Sequence, residues 1–202
     1  MNTSKMSFVG TASNYVETLQ SCFTKRIFCE VEKLALHLHQ ARLDGRKVFI
    51  CGNGGSAANA LHIANDLHYG IGSCSNGNEL PGIRVEALPS NTALITCLAN
   101  DKGFENIFSQ QLTTKATRGD ILIVLSGSGN SPNIVKALEI GKSLHMTSFA
   151  VLGYSGGLCY ELADIPIHFA INDMQIAEDI QLIVGHICMQ WLSRNKPMDF
   201  SP

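Results

Sequence analysis

The sequence predicts an α/β protein, a parallel sheet covered by helices on both faces. Three observations carry that prediction. Short apolar runs rich in branched residues recur along the chain, the stretches between them are long enough for helices, and the opening segment repeats apolar residues at helical spacing.

The helical opening extends from about Thr11 to Ala41, where Tyr15, Leu19, Cys22, Phe23, Ile27, Val31, Leu34 and Leu38 mark one face. One long helix or two stacked ones fit that spacing, and either has more apolar surface than a lone helix needs. The strands follow as KVFIC, RVEALP, ILIVLS, TSFAVLG and IPIHFAI. Residues 70 to 82, GIGSCSNGNELPG, are the only long stretch of turn-forming residues and predict a mobile surface loop rather than a domain boundary. At 202 residues, 45% hydrophobic and 16% charged, the chain suffices for one well-buried domain and is short for two. The expected organisation is a single domain over 1–202, with a helical segment to about residue 45 and an α/β core over 46–194.

A formal charge of -2 without any long basic run argues against nucleic acid as a ligand. No apolar run is long enough to span a bilayer, and the opening MNTSKMSFVGTASNYV lacks the charged and apolar regions of an export leader. These features predict a soluble, cytoplasmic protein that binds a small molecule or another protein. The seven cysteines, at 22, 29, 51, 74, 97, 159 and 188, form no CxxC pair and mostly sit in apolar runs. They read as buried free thiols, with Cys74 the one expected at the surface.

Two strand ends carry unusual loops. CGNGGS follows KVFI, SGSGNSP follows ILIVL, and a helix begins directly after each. Glycines let backbone amides approach a ligand, and a helix start adds unpaired N–H groups and a positive dipole end, so both junctions suit an anion. In the first, Asn53, Gly54, Gly55 and Ser56 are the candidates. In the second, Ser131 is a natural N-cap and Pro132 a natural first helical residue, which leaves Ser126, Gly127, Ser128, Gly129 and Asn130 to wrap a phosphate. There is no GxxxxGK[ST], and CGNGGS lacks the GxGxxG register, so a sugar phosphate fits better than a nucleotide.

On the helix after CGNGGS, His62 and Asp66 are four residues apart and share a face. In QIAEDIQLIVGHICMQWL, Glu178, Gln181 and His186 fall on one side of a helix whose other side is Ile180, Ile183, Val184 and Ile187. Two histidines and two carboxylates could converge on a divalent ion or act as a proton-transfer set. His37 and His39 read as surface residues, and His68, His145 and His168 have no evident partner.

Together, CGNGGS, HIANDLH, LANDKGFENIFSQQL, LSGSGNSPNIVKAL and AEDIQLIVGH, in this order over about residues 12 to 194, resemble the sugar isomerase (SIS) domain family, and within it the phosphoheptose isomerases. The resemblance implies a flavodoxin-like, doubly wound fold with a long N-terminal helix used in tetramer assembly; that helix and the apolar C-terminal helix offer more surface than one α/β layer can bury, which predicts a homotetramer with sites shared between subunits. It implies isomerisation of sedoheptulose 7-phosphate to D-glycero-D-manno-heptose 7-phosphate, toward activated heptose for surface polysaccharide. Carried onto this chain, it puts the phosphate at Ser126, Gly127, Ser128 and Ser131, with Asn53, Ser56 and Asp101 around the sugar. Asp66 and His186 then face the reacting carbons, and His62 and Glu178 join them as ligands of a Zn2+ ion. Three positions depart from the family pattern: Asp66 replaces the usual Glu, Glu178 replaces Gln, and Gly127 replaces a hydroxyl residue. The alternative reading is a non-catalytic SIS protein that binds a sugar phosphate and a protein partner such as a replication initiator. A sugar-sensing regulator is the weakest, since no basic or helix-turn-helix segment flanks the domain.

Overall fold

The computed structural model describes residues 7–72 and 80–196. The predicted helical opening is two helices, α1 (Phe8–Ser21) and α2 (Lys25–Asp44), with Thr24 capping the second through a hydrogen bond from the Ile27 amide. The five apolar runs form five strands, β1 (Lys47–Gly52), β2 (Arg84–Ala87), β3 (Ile121–Ser126), β4 (Thr147–Leu152) and β5 (Ile165–His168). All pair in parallel in the order β2-β1-β3-β4-β5. Between them lie α3 (Gly55–Asn65), α4 (Thr92–Lys102), α5 (Ser109–Lys115), α6 (Pro132–Ser143) and α7 (Gly157–Leu162), and α8 (Met174–Arg194) follows β5. This is the doubly wound α/β sandwich expected from the sequence.

Strand residues alternate between two cores. Val48, Ile50, Ile123, Leu125 and Val151 face α2, α3 and α8, whereas Phe49, Cys51, Leu122, Val124 and Ala150 face α5, α6 and α7. Burial on both faces explains why the strands read as continuous apolar runs. The α2 residues Ile27, Val31, Leu34 and Leu38 belong to the first core, and Tyr15 on α1 donates a 2.6 Å hydrogen bond to Asp179 on α8.

The chain leaves β1 toward β2 and then returns across β1 to β3, so the direction of winding reverses between β1 and β3. A crevice opens at the carboxyl ends of strands where such a reversal occurs. The CGNGGS and SGSGNSP loops flank that reversal.

Helices α3 and α8 pack closely, and Gly185 permits it. A Cβ at Gly185 would stand 2.6 Å from Ile63 Cγ1 and 2.9 Å from Ile63 Cδ1. Asn59 on α3 reinforces the contact, its Nδ2 donating to the Glu178 carbonyl at 2.9 Å and to Gln181 Oε1 at 3.0 Å. Gln181, expected on the polar side of its helix, is therefore buried between the two helices, while Ile187 from the expected apolar side is 37% exposed.

The cysteines divide differently from the expectation. Cys51, Cys159 and Cys188 are buried, but Cys29 and Cys97 are exposed, the latter because α4 buries no residue. Burial pushes the Cys159 and Cys188 thiols up to about 12, which leaves them protonated and unreactive at neutral pH. Cys74 and most of the predicted 70–82 loop lie outside the described residues; at its described edges the Leu80 amide donates to the Gly72 carbonyl. His168, without an evident partner in the sequence, hydrogen-bonds the Tyr154 carbonyl through Nε2 at 2.9 Å. Among the described residues no helix is long and apolar enough to cross a membrane.

Gly185→Ala should lower stability by about 1–3 kcal/mol through overpacking against Ile63. For a chain of this size that is a fall of roughly 2–12 °C in melting temperature, which Ile63→Val should partly restore. Thermal unfolding of the two variants measures it.

Candidate active site

The two loops line one cleft of about 270 Å³, bounded by Asn53, Gly54, Gly55, Ser56, Ser126, Gly127, Ser128, Ser131, Met174 and Glu178. Gly54 adopts φ +54°, a conformation that turns β1 directly into α3 and costs a side-chain-bearing residue strain. The start of α3 then opens onto the cleft, where its N–H groups and dipole favour negative charge.

The second loop is held from within. Ser126 Oγ accepts from the Gly129 amide at 3.0 Å, and Ser128 Oγ accepts from the Asn130 amide at 3.3 Å. Gly129, at φ +67°, crosses so close to the Gly156 carbonyl that a Cβ would overlap it. Asn130 turns outward to accept from the Leu158 amide. Ser131 has the extended N-cap backbone expected of it but makes no capping hydrogen bond, so its hydroxyl is left to the cleft. A Cβ at Gly127 would lie 2.6 Å from Met174 Sδ. The space a hydroxyl residue would need is thus taken by a thioether.

Glu178 reaches the same cleft from α8, and its carboxyl sits against Gly55, where any Cβ would collide with it. Among the described residues no lysine or arginine lines the cleft.

Farther along α3 and α8 the expected histidines meet. His62 Nε2 and His186 Nε2 are 2.9 Å apart, and each stands 3.5 Å from Asp66 Oδ2. Asp66 begins a π-helical turn, Asp66–Gly70, that continues α3. One ligand atom from each of the three lies within 4.8 Å of the others, and two imidazoles with a carboxylate form a donor set suited to a divalent transition-metal ion. Both imidazoles are about half exposed, so a small molecule can reach them.

Two expected positions fall elsewhere. Glu178 is not in this group: eight residues separate it from His186, a rise of about 12 Å along the helix, and its carboxyl turns to Gly55 instead. Asp101 is exposed at the end of α4, accepts from Asn100 Nδ2 at 2.8 Å and Cys97 Sγ at 3.5 Å, and does not line the cleft. That hydrogen bond raises the Cys97 thiol above its ordinary value. Conversely, the sequence reading passed over Met174, Asn133, Asn59 and Gly185. The glycine between two apolar stretches of the last helix was the one available hint of a close helix contact.

From Gly55 to His62 is seven residues, about 10 Å along α3. Tetrahedral chains advance roughly 1.2 Å per bond when extended, so a linear sugar of six or seven carbons with a terminal phosphate spans about that distance. The arrangement therefore offers an anion seat at one end and a proton-transfer or metal group at the other.

The SIS domain family matches residues 13–153. The chain is 40% identical over 159 residues to a phosphoheptose isomerase of Trichlorobacter lovleyi, covering 78% of each protein. It is 34% identical over 180 residues to one from Aliarcobacter butzleri, covering 89% of this chain and 88% of that one. The structure of phosphoheptose isomerase GmhA from Neisseria gonorrhoeae superposes with a TM-score of 0.81 at 25% identity, over 92% of this chain and 96% of that one. The family match over residues 13–153, the identity to phosphoheptose isomerases and the shared doubly wound fold agree, and the chain belongs to the SIS domain family, alongside its phosphoheptose isomerases.

Proposed function

We propose that the protein is an aldose–ketose isomerase that converts sedoheptulose 7-phosphate to D-glycero-D-manno-heptose 7-phosphate, supplying heptose for surface polysaccharide. The observation that carries this reading is the His62, Asp66 and His186 group set about 10 Å along α3 from an anion-suited cleft. Relatives that are phosphoheptose isomerases support the substrate.

In the reaction, a base takes the proton from C1, the carbonyl at C2 becomes part of a cis-enediol, and a proton returns to C2 while the C1 hydroxyl loses its own. No atom is gained or lost. Asp66 and His186 are the pair placed to take and return the carbon-bound proton, with Asp66 also orienting both imidazoles. Hydroxyls of Ser126, Ser128 and Ser131, the amides of the two loops, and Asn53 and Ser56 hold the phosphate and the adjacent sugar. Asp101 belongs to the sugar contacts only if another subunit brings its own cleft near α4. A divalent ion, zinc in this reading, would be held by His62, Asp66 and His186 and would supply positive charge to the enediolate oxygens. The non-catalytic alternative is disfavoured because nothing in a purely binding role requires two imidazoles and a carboxylate to converge on an open surface.

Exposed Phe8, Val9 and Val16 on α1, Phe28 on α2 and Ile187 on α8 support the further reading that these helices assemble a homotetramer. Sedimentation at micromolar concentration should give four times the 21.9 kDa chain mass, and a monomer overturns the assembly.

His186→Ala and Asp66→Ala should each reduce isomerase turnover at least about a hundredfold while leaving the melting temperature nearly unchanged. Chelation of wild type should produce a similar loss that zinc reverses. Full turnover in both folded variants excludes the mechanism.

Glu178→Gln removes a carboxylate from a cleft that receives a phosphate. Its expected effect is a KM for the sugar phosphate lower by roughly threefold to tenfold at low salt, and by less as ionic strength rises. Kinetics at two salt concentrations test the sign.

A further inference from the structure

The two ligand loops are joined by a pair of asparagines. Asn53 Nδ2 donates to Asn133 Oδ1 at 2.9 Å, and Asn133 Nδ2 donates to Asn53 Oδ1 at 2.7 Å. Asn133 is the second residue of α6, directly behind the SGSGNSP loop, and only 1% exposed. Asn53 lies in the CGNGGS loop and lines the phosphate cleft on one side. On its other side it lines a second cleft of about 270 Å³ with Pro89, Thr92 and Phe104.

The reciprocal bonding has two consequences. Each asparagine amide has two N–H donors and two acceptor lone pairs, so the pair consumes one of each on Asn53 and leaves one N–H and one lone pair to turn toward the clefts. The pair therefore ties the orientation of the Asn53 amide to that of Asn133, since oxygen and nitrogen can exchange places only in both amides together. It also sets the separation of two loops that otherwise belong to different strands, because two short, directional hydrogen bonds tolerate little sliding.

On the reading that a sugar phosphate spans both loops, we infer that Asn133 is a positioning residue: it holds Asn53 in the orientation that meets the sugar and fixes the spacing between the sugar loop and the phosphate loop. A ligand that bridges the loops depends on Asn133. An anion held by the SGSGNSP loop alone does not.

The test compares isothermal titration of sedoheptulose 7-phosphate and of inorganic phosphate on wild type, Asn133→Ala, Asn53→Ala and the double variant. Asn133→Ala is expected to weaken sedoheptulose 7-phosphate about tenfold, the worth of one well-placed hydrogen bond, while changing inorganic phosphate less than twofold. In the Asn53→Ala background the Asn133 substitution should cost nothing further. The near-isosteric Asn133→Leu, which loses both donor and acceptor without adding charge, stands in if the alanine variant does not fold, with the same selective loss expected. Parallel weakening of both ligands, no weakening of either, or an undiminished effect in the Asn53→Ala background overturns the inference. If wild type binds sedoheptulose 7-phosphate without turning it over, the isomerase reading falls while the binding comparison still decides the role of Asn133. No binding of sedoheptulose 7-phosphate by wild type overturns both.

Discussion

The close approach of α3 to α8 is the contact on which the rest of the site depends. Gly185 lets Ile63 into the interface, and the neighbours in sequence of those two residues are His186 and His62. The apolar contact that brings the backbones together thus delivers two imidazoles to within 2.9 Å across 124 residues of chain. Asn59 and Gln181 extend the same interface with buried polar contacts that resist sliding, since displacing either leaves a buried amide unsatisfied. Helix spacing and site geometry are consequently one variable.

Sheet topology supplies the other half. The reversal between β1 and β3 puts two glycine-rich loops side by side, and α3 starts at one of them. The same helix whose N-terminus opens onto the cleft carries His62 two turns farther on, and α8 likewise carries Glu178 and His186 at its two levels. The two helices thus set the distance between the cleft and the histidine group through their rise.

Among the described residues the proposed anion seat is lined by no lysine or arginine. The cleft offers amides, hydroxyls and a helix start, while Met174 fills the space beside Gly127 and Glu178 adds negative charge. An anion bound there, as proposed, would rest on the placement of neutral donors more than on net charge, so the spacing of the two loops would matter more than it would around a lysine. The asparagine pair controls that spacing.

The strands, the loops after them and the helical opening were legible in the sequence because each depends on local period and on where glycine, serine and proline interrupt it. Helical spacing likewise put His62 with Asp66 on one face. Spacing names a face but not what packs on it: Gln181 and Glu178 share a side of α8 in sequence, yet one is buried against Asn59 and the other turned to Gly55. Asp101 was grouped with the sugar, yet the fold of this chain leaves it at the exposed end of α4. Asn133 pairs with Asn53 across 80 residues, with no periodic signal to announce it. By itself the sequence determined the fold class, the two anion-suited junctions and the residues eligible for chemistry, all set by near neighbours in the chain. Only the tertiary structure decided which of those residues meet, because helix packing and strand order join segments whose separation in sequence carries no trace of their contact.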